Sequence, residues 1–162
     1  MADNRSALEK LGKTDPNSLT DEELKTVLTD EEYRVGVKSG TEAKFTGEYT
    51  NVFENGKYIC KKCGVELFLS DSKFESGCGW PAFGYSYEKD KNITRHDDFS
   101  IPNRPRVEVR CKCGFHLGHV FQEESAPTGE RYCINSCVIK LPVNKILRGQ
   151  VIFFSLTLDG SQ

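Results

Sequence analysis

The run GERYCINSCVIK, residues 129–140, holds Cys133 at a spacing of two from a cation, Arg131, and from an amide, Asn135. A free thiol of ordinary pKa is only about 3% ionised at pH 7, and the thiolate is the form that attacks. A cation or hydrogen-bond donor beside it raises that fraction. If the run is a strand, Arg131, Cys133 and Asn135 project from one face. Such a grouping suits sulfur nucleophile chemistry; the plainer alternative is a half-exposed strand with a polar row. On the same strand Cys137 would share the face of Cys133 at about 13 Å, too far for a disulfide. It reads as a small buried hydrophobe.

Two further stretches carry chemistry of the same kind. SGCGWPAF sets Cys78 and the only tryptophan, Trp80, on a glycine-rich turn. Glycines there let a thiol approach another group closely, and the indole can line a pocket for a small apolar group or simply anchor the core. HLGHVF supplies two of the three histidines, His116 and His119. Nothing nearby completes a metal site around them, so general acid chemistry is the favoured reading over a pair of structural imidazoles. His96, in TRHDDFS, reads as a loop residue.

The remaining four of the seven cysteines form two close pairs. CKKCG, with Cys60 and Cys63, is a knuckle whose two thiolates can reach one tetrahedral ion while the glycine permits the turn. CKCG, with Cys111 and Cys113, is one residue shorter. Together they point to structural Zn²⁺, since four thiolates leave no open position for substrate. Two ordinary buried pairs are the alternative, as is a redox C-x-x-C, disfavoured because no βαβ pattern follows it. Cys111 is the least secure ligand, because its sulfur leaves the chain from a shifted position.

Short strands must carry these groups. KYICKK, VELFLS, RVEVRC, HVFQ and RYCINSCVIKL are rich in β-branched or aromatic residues and are separated by turn formers. In RVEVRC, Val107 and Val109 alternate with polar residues, as in a half-buried strand. GCGWPAF reads as a bend. Upstream, Thr20 with Glu23 and Thr29 with Glu32 are spaced as capping boxes. They predict two short helices between about residues 20 and 39, with Gly36 weakening the second and Gly40 ending it. The expected organisation is a polar, mobile tail over residues 1–18, one mainly β domain over 19–142 with a short helical N-terminal cap, and a tail over 143–162. In that tail Val151–Phe154 could add a strand.

Composition narrows the class further. The 162 residues are 37% hydrophobic and 28% charged, which suits a soluble globular domain with a real core. A net charge of −2 offers no field for nucleic acid, and no apolar run approaches a membrane span. MADNRSALEK has neither the apolar stretch of a secretory signal nor an Arg-rich leader, so the expected compartment is the cytosol, with the nucleus as the alternative. There, cysteines more often bind metal or do chemistry than form structural disulfides.

In chain order, GTEAKFTGEY, YICKKCGVELF, KFESGCGWPAF, CGFHLGHVF and PTGERYCINS resemble the B-type methionine sulfoxide reductases, which act on the R epimer. The resemblance runs from about Thr29 to Leu141. It implies two antiparallel sheets with N-terminal helices, Cys133 as the catalytic cysteine and Cys78 as the resolving one. Trp80, His116, His119, Arg131 and Asn135 fall on active-site positions. Cys60, Cys63, Cys111 and Cys113 fall on or beside zinc knuckles. It further implies a Cys78–Cys133 disulfide recycled by thioredoxin, oxidised proteins or free methionine sulfoxide as substrate, and a monomer. The short second knuckle, Cys137 in place of a small residue and the tail after Leu141 depart from the family pattern. Two rivals stay open on the residues alone: a zinc-ribbon binding module, which leaves Cys78, Cys133 and the histidines unexplained, and a general thiol oxidoreductase, disfavoured because its redox thiols would lie far apart in sequence.

Overall fold

The structure is a computed structural model, and it describes residues 3–142. The expected capping boxes both form. Thr20 and Glu23 cap α2 (Asp21–Val27), Thr29 and Glu32 cap α3 (Asp30–Gly36), and each pair satisfies orphan backbone donors reciprocally. Helix α3 stops at Gly36 rather than at Gly40. Gly36 is there for contact: a Cβ on it would overlap the ring of the buried Phe115.

Residues 6–18, expected within a mobile tail, instead form α1 (Ala7–Lys10) and a 3₁₀ turn at Pro16–Ser18. The backbone N–H groups of Ala7 and Leu8 donate to the carbonyls of Lys61 and Lys62 at 2.7 and 2.9 Å, and Ser6, Ala7 and Leu8 are buried. The polar composition concealed a short strap whose Ser6, Ala7 and Leu8 dock on the CKKCG knuckle.

Nine strands follow among the described residues, all antiparallel: β1 (Lys57–Cys60), β2 (Glu66–Leu69), β3 (Lys73–Phe74), β4 (Ala82–Phe83), β5 (Ile93–Asp98), β6 (Arg106–Cys111), β7 (His116–Gln122), β8 (Glu130–Ile134) and β9 (Ile139–Lys140). They build two sheets, β2-β1-β9 and β3-β4-β8-β7-β6-β5, as the mainly β reading requires. An aromatic core joins them: Phe68 stacks on Phe83 at 4.5 Å, and Tyr58 and Tyr132 meet that pair edge-on.

Three strand assignments differ from expectation. TRHDDFS lies largely in β5, so His96 is a strand residue, its Nε2 2.7 Å from the Thr94 hydroxyl. RYCINSCVIKL is not one strand. The chain leaves the large sheet at Asn135, makes a 3₁₀ turn at Ser136–Val138 and enters the small sheet as β9. Cys137 therefore does not share a strand face with Cys133. The turn is held by the buried Glu42 carboxylate, which accepts from the backbone N–H groups of Ser136 and Cys137. The alternation in β6 is also not a simple inside-outside pattern, because Glu108 is buried as well as Val109. The apolar run at Val151–Phe154 lies outside the described residues.

Candidate active site

Strand β8 is central in the large sheet, between β4 and β7. Cys133 lies directly across from Ala82 on one side and from His119 on the other. Directly opposite residues on antiparallel strands share a face, so one imidazole is paired with the thiol by register alone. That close approach depends on Gly118. A Cβ there would overlap the Cys133 carbonyl oxygen and lie 3.0 Å from its carbonyl carbon.

His116 and His119 are three residues apart and would face opposite sides of a regular strand. The β6–β7 register shifts between Val109 and Arg110, which places an extra residue on β7 between its partnered His116 and Gly118. This bulge brings both imidazoles to one face, with ring centroids 5.7 Å apart. Each is backed by a carboxylate. His116 Nδ1 is 2.6 Å from Glu108, and His119 Nε2 is 2.7 Å from Asp98. Burial lowers both histidine pKa values, and the carboxylates only partly offset it. Hydrogen bonds from Ser100 and His119, with Arg106 alongside, hold Asp98 well below the usual carboxylate range. An ionised carboxylate only accepts, so neutral His119 donates through Nε2 and leaves Nδ1 as an acceptor. His116 is fully inside the fold, and its Nε2 has no partner among the described residues.

These groups border a cleft of ≈ 340 Å³. His119, Gly118, Phe121, Arg131, Cys133 and Asn135 come from β7, β8 and the residue after β8, and Cys78 and Trp80 from the turn before β4. His116 backs the cleft without lining it. The turn uses its glycines as expected: Gly77 and Gly79 have φ of 73° and 95°, a region costly for other residues. It delivers the Cys78 Sγ to 3.7 Å from the Cys133 Sγ. Trp80 is fixed by its indole N–H donating to the Glu42 carbonyl at 3.0 Å. Asn135 is buried and occupied at both ends, accepting from the Glu42 N–H at 3.0 Å and donating to the Leu117 carbonyl at 2.9 Å. It ties three chain segments together at the cleft. Arg131 donates to Glu123 and lies over Phe121 at 4.8 Å.

The charge in the thiol pair rests differently from the sequence expectation. The hydrogen bond from Cys133, with help from Ser76 and the Trp80 region, pulls Cys78 down to about 5 despite partial burial. The same hydrogen bond, burial and the neighbouring charge push Cys133 up, opposed by Arg131. The contact between the two sulfurs thus favours the thiolate of Cys78 and disfavours that of Cys133, and Arg131 opposes the rise at Cys133.

The four paired cysteines converge elsewhere. Their sulfurs all lie within 4.8 Å of one another, with Cys63 to Cys111 at 3.5 Å and Cys60 to Cys113 at 3.8 Å. A tetrahedron of thiolates with bonds of about 2.3 Å has edges of roughly 3.8 Å, so the set fits one metal ion. The short knuckle keeps Cys111 because the β6–β7 connection is a tight four-residue hairpin, Lys112 to Phe115. It is closed by Cys111 N–H to the Phe115 carbonyl at 2.9 Å, with Gly114 at φ 94°. Cys111 ends the strand and Cys113 is inside the loop, so a missing spacer is absorbed by a tighter turn.

The sequence reading did not single out the partner carboxylates Asp98, Glu108 and Glu123 or the organising Glu42. Glu108 stood in RVEVRC as an apparently outward residue, and Asp98 in what read as a loop. The family model described as the SelR domain matches residues 28–142. The chain is 53% identical over 123 residues to a Caenorhabditis elegans protein named probable methionine-R-sulfoxide reductase B, covering 75% of this chain and 80% of that relative. It is 46% identical over 127 residues to an Acinetobacter baylyi protein named peptide methionine sulfoxide reductase MsrB, covering 78% and 90%. A Hahella chejuensis protein of the same name is 48% identical over 122 residues, covering 75% and 86%.

Proposed function

The chain belongs to the SelR-domain family of methionine-R-sulfoxide reductases, and from that premise we propose how its own residues reduce the sulfoxide. The observation that carries the reading is the cross-strand pairing of His119 with Cys133 in a cleft that also holds Trp80 and Cys78. Substrate enters with its S-methyl against the indole. Cys78 moves aside on its glycine turn, which relieves the negative charge that pushes Cys133 up and leaves Arg131 as the nearest cation. His119 Nδ1 takes the Cys133 proton, and the thiolate attacks the sulfoxide sulfur. The imidazolium, steadied by Asp98, gives the proton to the sulfoxide oxygen as charge builds there. The protonated oxygen then shifts from the substrate sulfur to the Cys133 sulfur as the S–S bond formed by the attack breaks with its electron pair staying on the substrate, so methionine leaves and Cys133 is a sulfenic acid.

Cys78 then attacks that sulfenic sulfur. Water leaves and a Cys78–Cys133 disulfide forms, so two thiols have supplied the two electrons. The 3.7 Å between these sulfurs supports that step. A dithiol protein of the thioredoxin class resets the pair by exchange. His116, held by Glu108, steadies the His119 side of the cleft, and Asn135 holds the segment after Cys133. The R preference follows from three fixed points: oxygen toward His119, methyl toward Trp80 and sulfur toward Cys133. The four-cysteine cluster holds structural Zn²⁺, pinning the β1 knuckle to the β6–β7 hairpin and contributing folding energy. A reducing compartment such as the cytosol keeps the thiols in their starting state.

The test is an assay on separated R and S sulfoxide epimers with thioredoxin as reductant. Turnover of the R epimer alone is expected. Turnover of the S epimer, or none of either, would overturn the reading.

A further inference from the structure

The cleft carries more positive charge than the chemistry inside it uses. Among the described residues, four basic ones line it, Lys44, Arg104, Arg106 and Arg131, and no carboxylate residue does. Arg106 is matched by Asp98 and Arg131 by Glu123. Lys44 and Arg104 are exposed and form no ion pair with a carboxylate among the described residues. They come from different loops, Lys44 from the connection between α3 and β1 and Arg104 from that between β5 and β6. The Lys44 ammonium lies 5.6 Å from the Trp80 ring centroid, beside the methyl position.

Each of these loops also presents a large aromatic to solvent. Phe45, next to Lys44, is 66% exposed, and Phe99, in the loop of Arg104, is 73% exposed. A lone exposed apolar residue needs no explanation. Phe45, however, is held at φ 63°, a left-handed conformation unusual for a bulky residue, and its N–H donates to the Gly79 carbonyl at 2.8 Å. The surroundings must over-determine such a conformation for it to persist. The loop that carries Lys44 is thus fastened to the turn that carries Cys78 and Trp80.

We propose that the cleft mouth selects oxidised methionines lying in acidic polypeptide segments, with Lys44 and Arg104 pairing with Asp or Glu side chains that flank the sulfoxide. This rests on the sulfoxide-reductase reading above. The cleft has room for one side chain, so residues flanking it meet the rim, where the two unmatched cations stand. The net charge of −2 means that this attraction is local, not a property of the whole chain. The carboxylate of free methionine sulfoxide offers the same chemistry from another source.

The experiment measures kcat/KM, with excess dithiothreitol as reductant, for four substrates. Three are end-blocked peptides with one methionine-R-sulfoxide flanked by Ala, Asp or Lys, and the fourth is free methionine-R-sulfoxide. At low ionic strength the Asp peptide should exceed the Ala peptide by about tenfold and the Lys peptide should fall about as far below it. The spread should shrink in 1 M salt. Combining Lys44→Glu with Arg104→Glu should reverse the Asp–Lys order. Equal values for the three peptides, or an unchanged order in the double variant, would overturn the proposal. A free amino acid that outruns the Asp peptide and loses that lead in the variant would also overturn it, by assigning the rim to the substrate's own carboxylate. No reduction of the Ala peptide would instead overturn the sulfoxide-reductase reading.

Discussion

Replacing Gly118 by alanine tests whether strand spacing positions the reactive thiol. The added methyl would overlap the carbonyl oxygen of Cys133 and stand 3.0 Å from its carbonyl carbon and 3.1 Å from the Cα of Ile134. All three are backbone atoms of β8, so no side-chain rotation relieves the clash. Restoring an ordinary separation of about 3.5 Å from the overlapped carbonyl oxygen requires β7 and β8 to part by roughly 1.5 Å. Overpacking of this kind costs about 3 kcal/mol, which lowers the melting temperature of a domain this size by roughly 10 °C. The same displacement moves Cys133 off its register with His119, and a misplacement near 1 Å costs about 10²-fold in rate. The assay is thermal unfolding together with the first-turnover burst of methionine, normalised to folded protein. Gly36→Ala is the control. Its methyl would overlap the Phe115 ring, but Gly36 does not line the cleft, so stability should fall while the burst rate holds. A Gly118→Ala protein that melts within about 2 °C of the parent and bursts at the parental rate would refute the reasoning.

Three further outcomes are expected. Cys78→Ser should release about one methionine per chain and then stall with thioredoxin, whereas Cys133→Ser should release none; sustained turnover of Cys78→Ser would mean another resolving thiol. Asp98→Asn removes the contribution that raises the His119 pKa, so that pKa, already lowered by burial, drops further. The burst rate rises with pH as His119 becomes the neutral base. Its acid limb should therefore move to lower pH in the variant, while the plateau falls about 10²-fold because the imidazolium loses its counter-charge; an unmoved limb would remove His119 from the proton path. Metal analysis should find about one zinc per chain, and Cys111→Ser should lose it as completely as Cys113→Ser, with a lower melting temperature in both; full zinc in Cys111→Ser would make the cluster a three-thiol site.

Local chemistry written in short stretches was legible without the structure. The capping boxes need only residues three apart, and Thr20–Glu23 and Thr29–Glu32 both formed. The knuckles advertised themselves by spacing, and the thiol, cation and amide of RYCIN do border one cleft. Apart from the two knuckles, whose matching thiol pairs announce a shared site, the sequence could not show what depends on two distant segments meeting. The docking of residues 6–8 needs the Lys61 and Lys62 carbonyls, and the break at Asn135 needs Glu42, more than ninety positions away.

The residue types alone determined that this chain would carry reactive thiols, bring four cysteines together in a set that could hold a metal ion and fold mainly as short strands, because those properties follow from side chains and near neighbours. Tertiary structure decided which groups tune that chemistry. A bulge in β7 turns two histidines to one side, β6 and the end of β5 supply the carboxylates that back them, and a glycine turn sets Cys78 against Cys133, lowering the pKa of the first thiol and raising that of the second. Proton positions depend on burial and on partners brought from across the sheet, and no spacing along the chain encodes those distances.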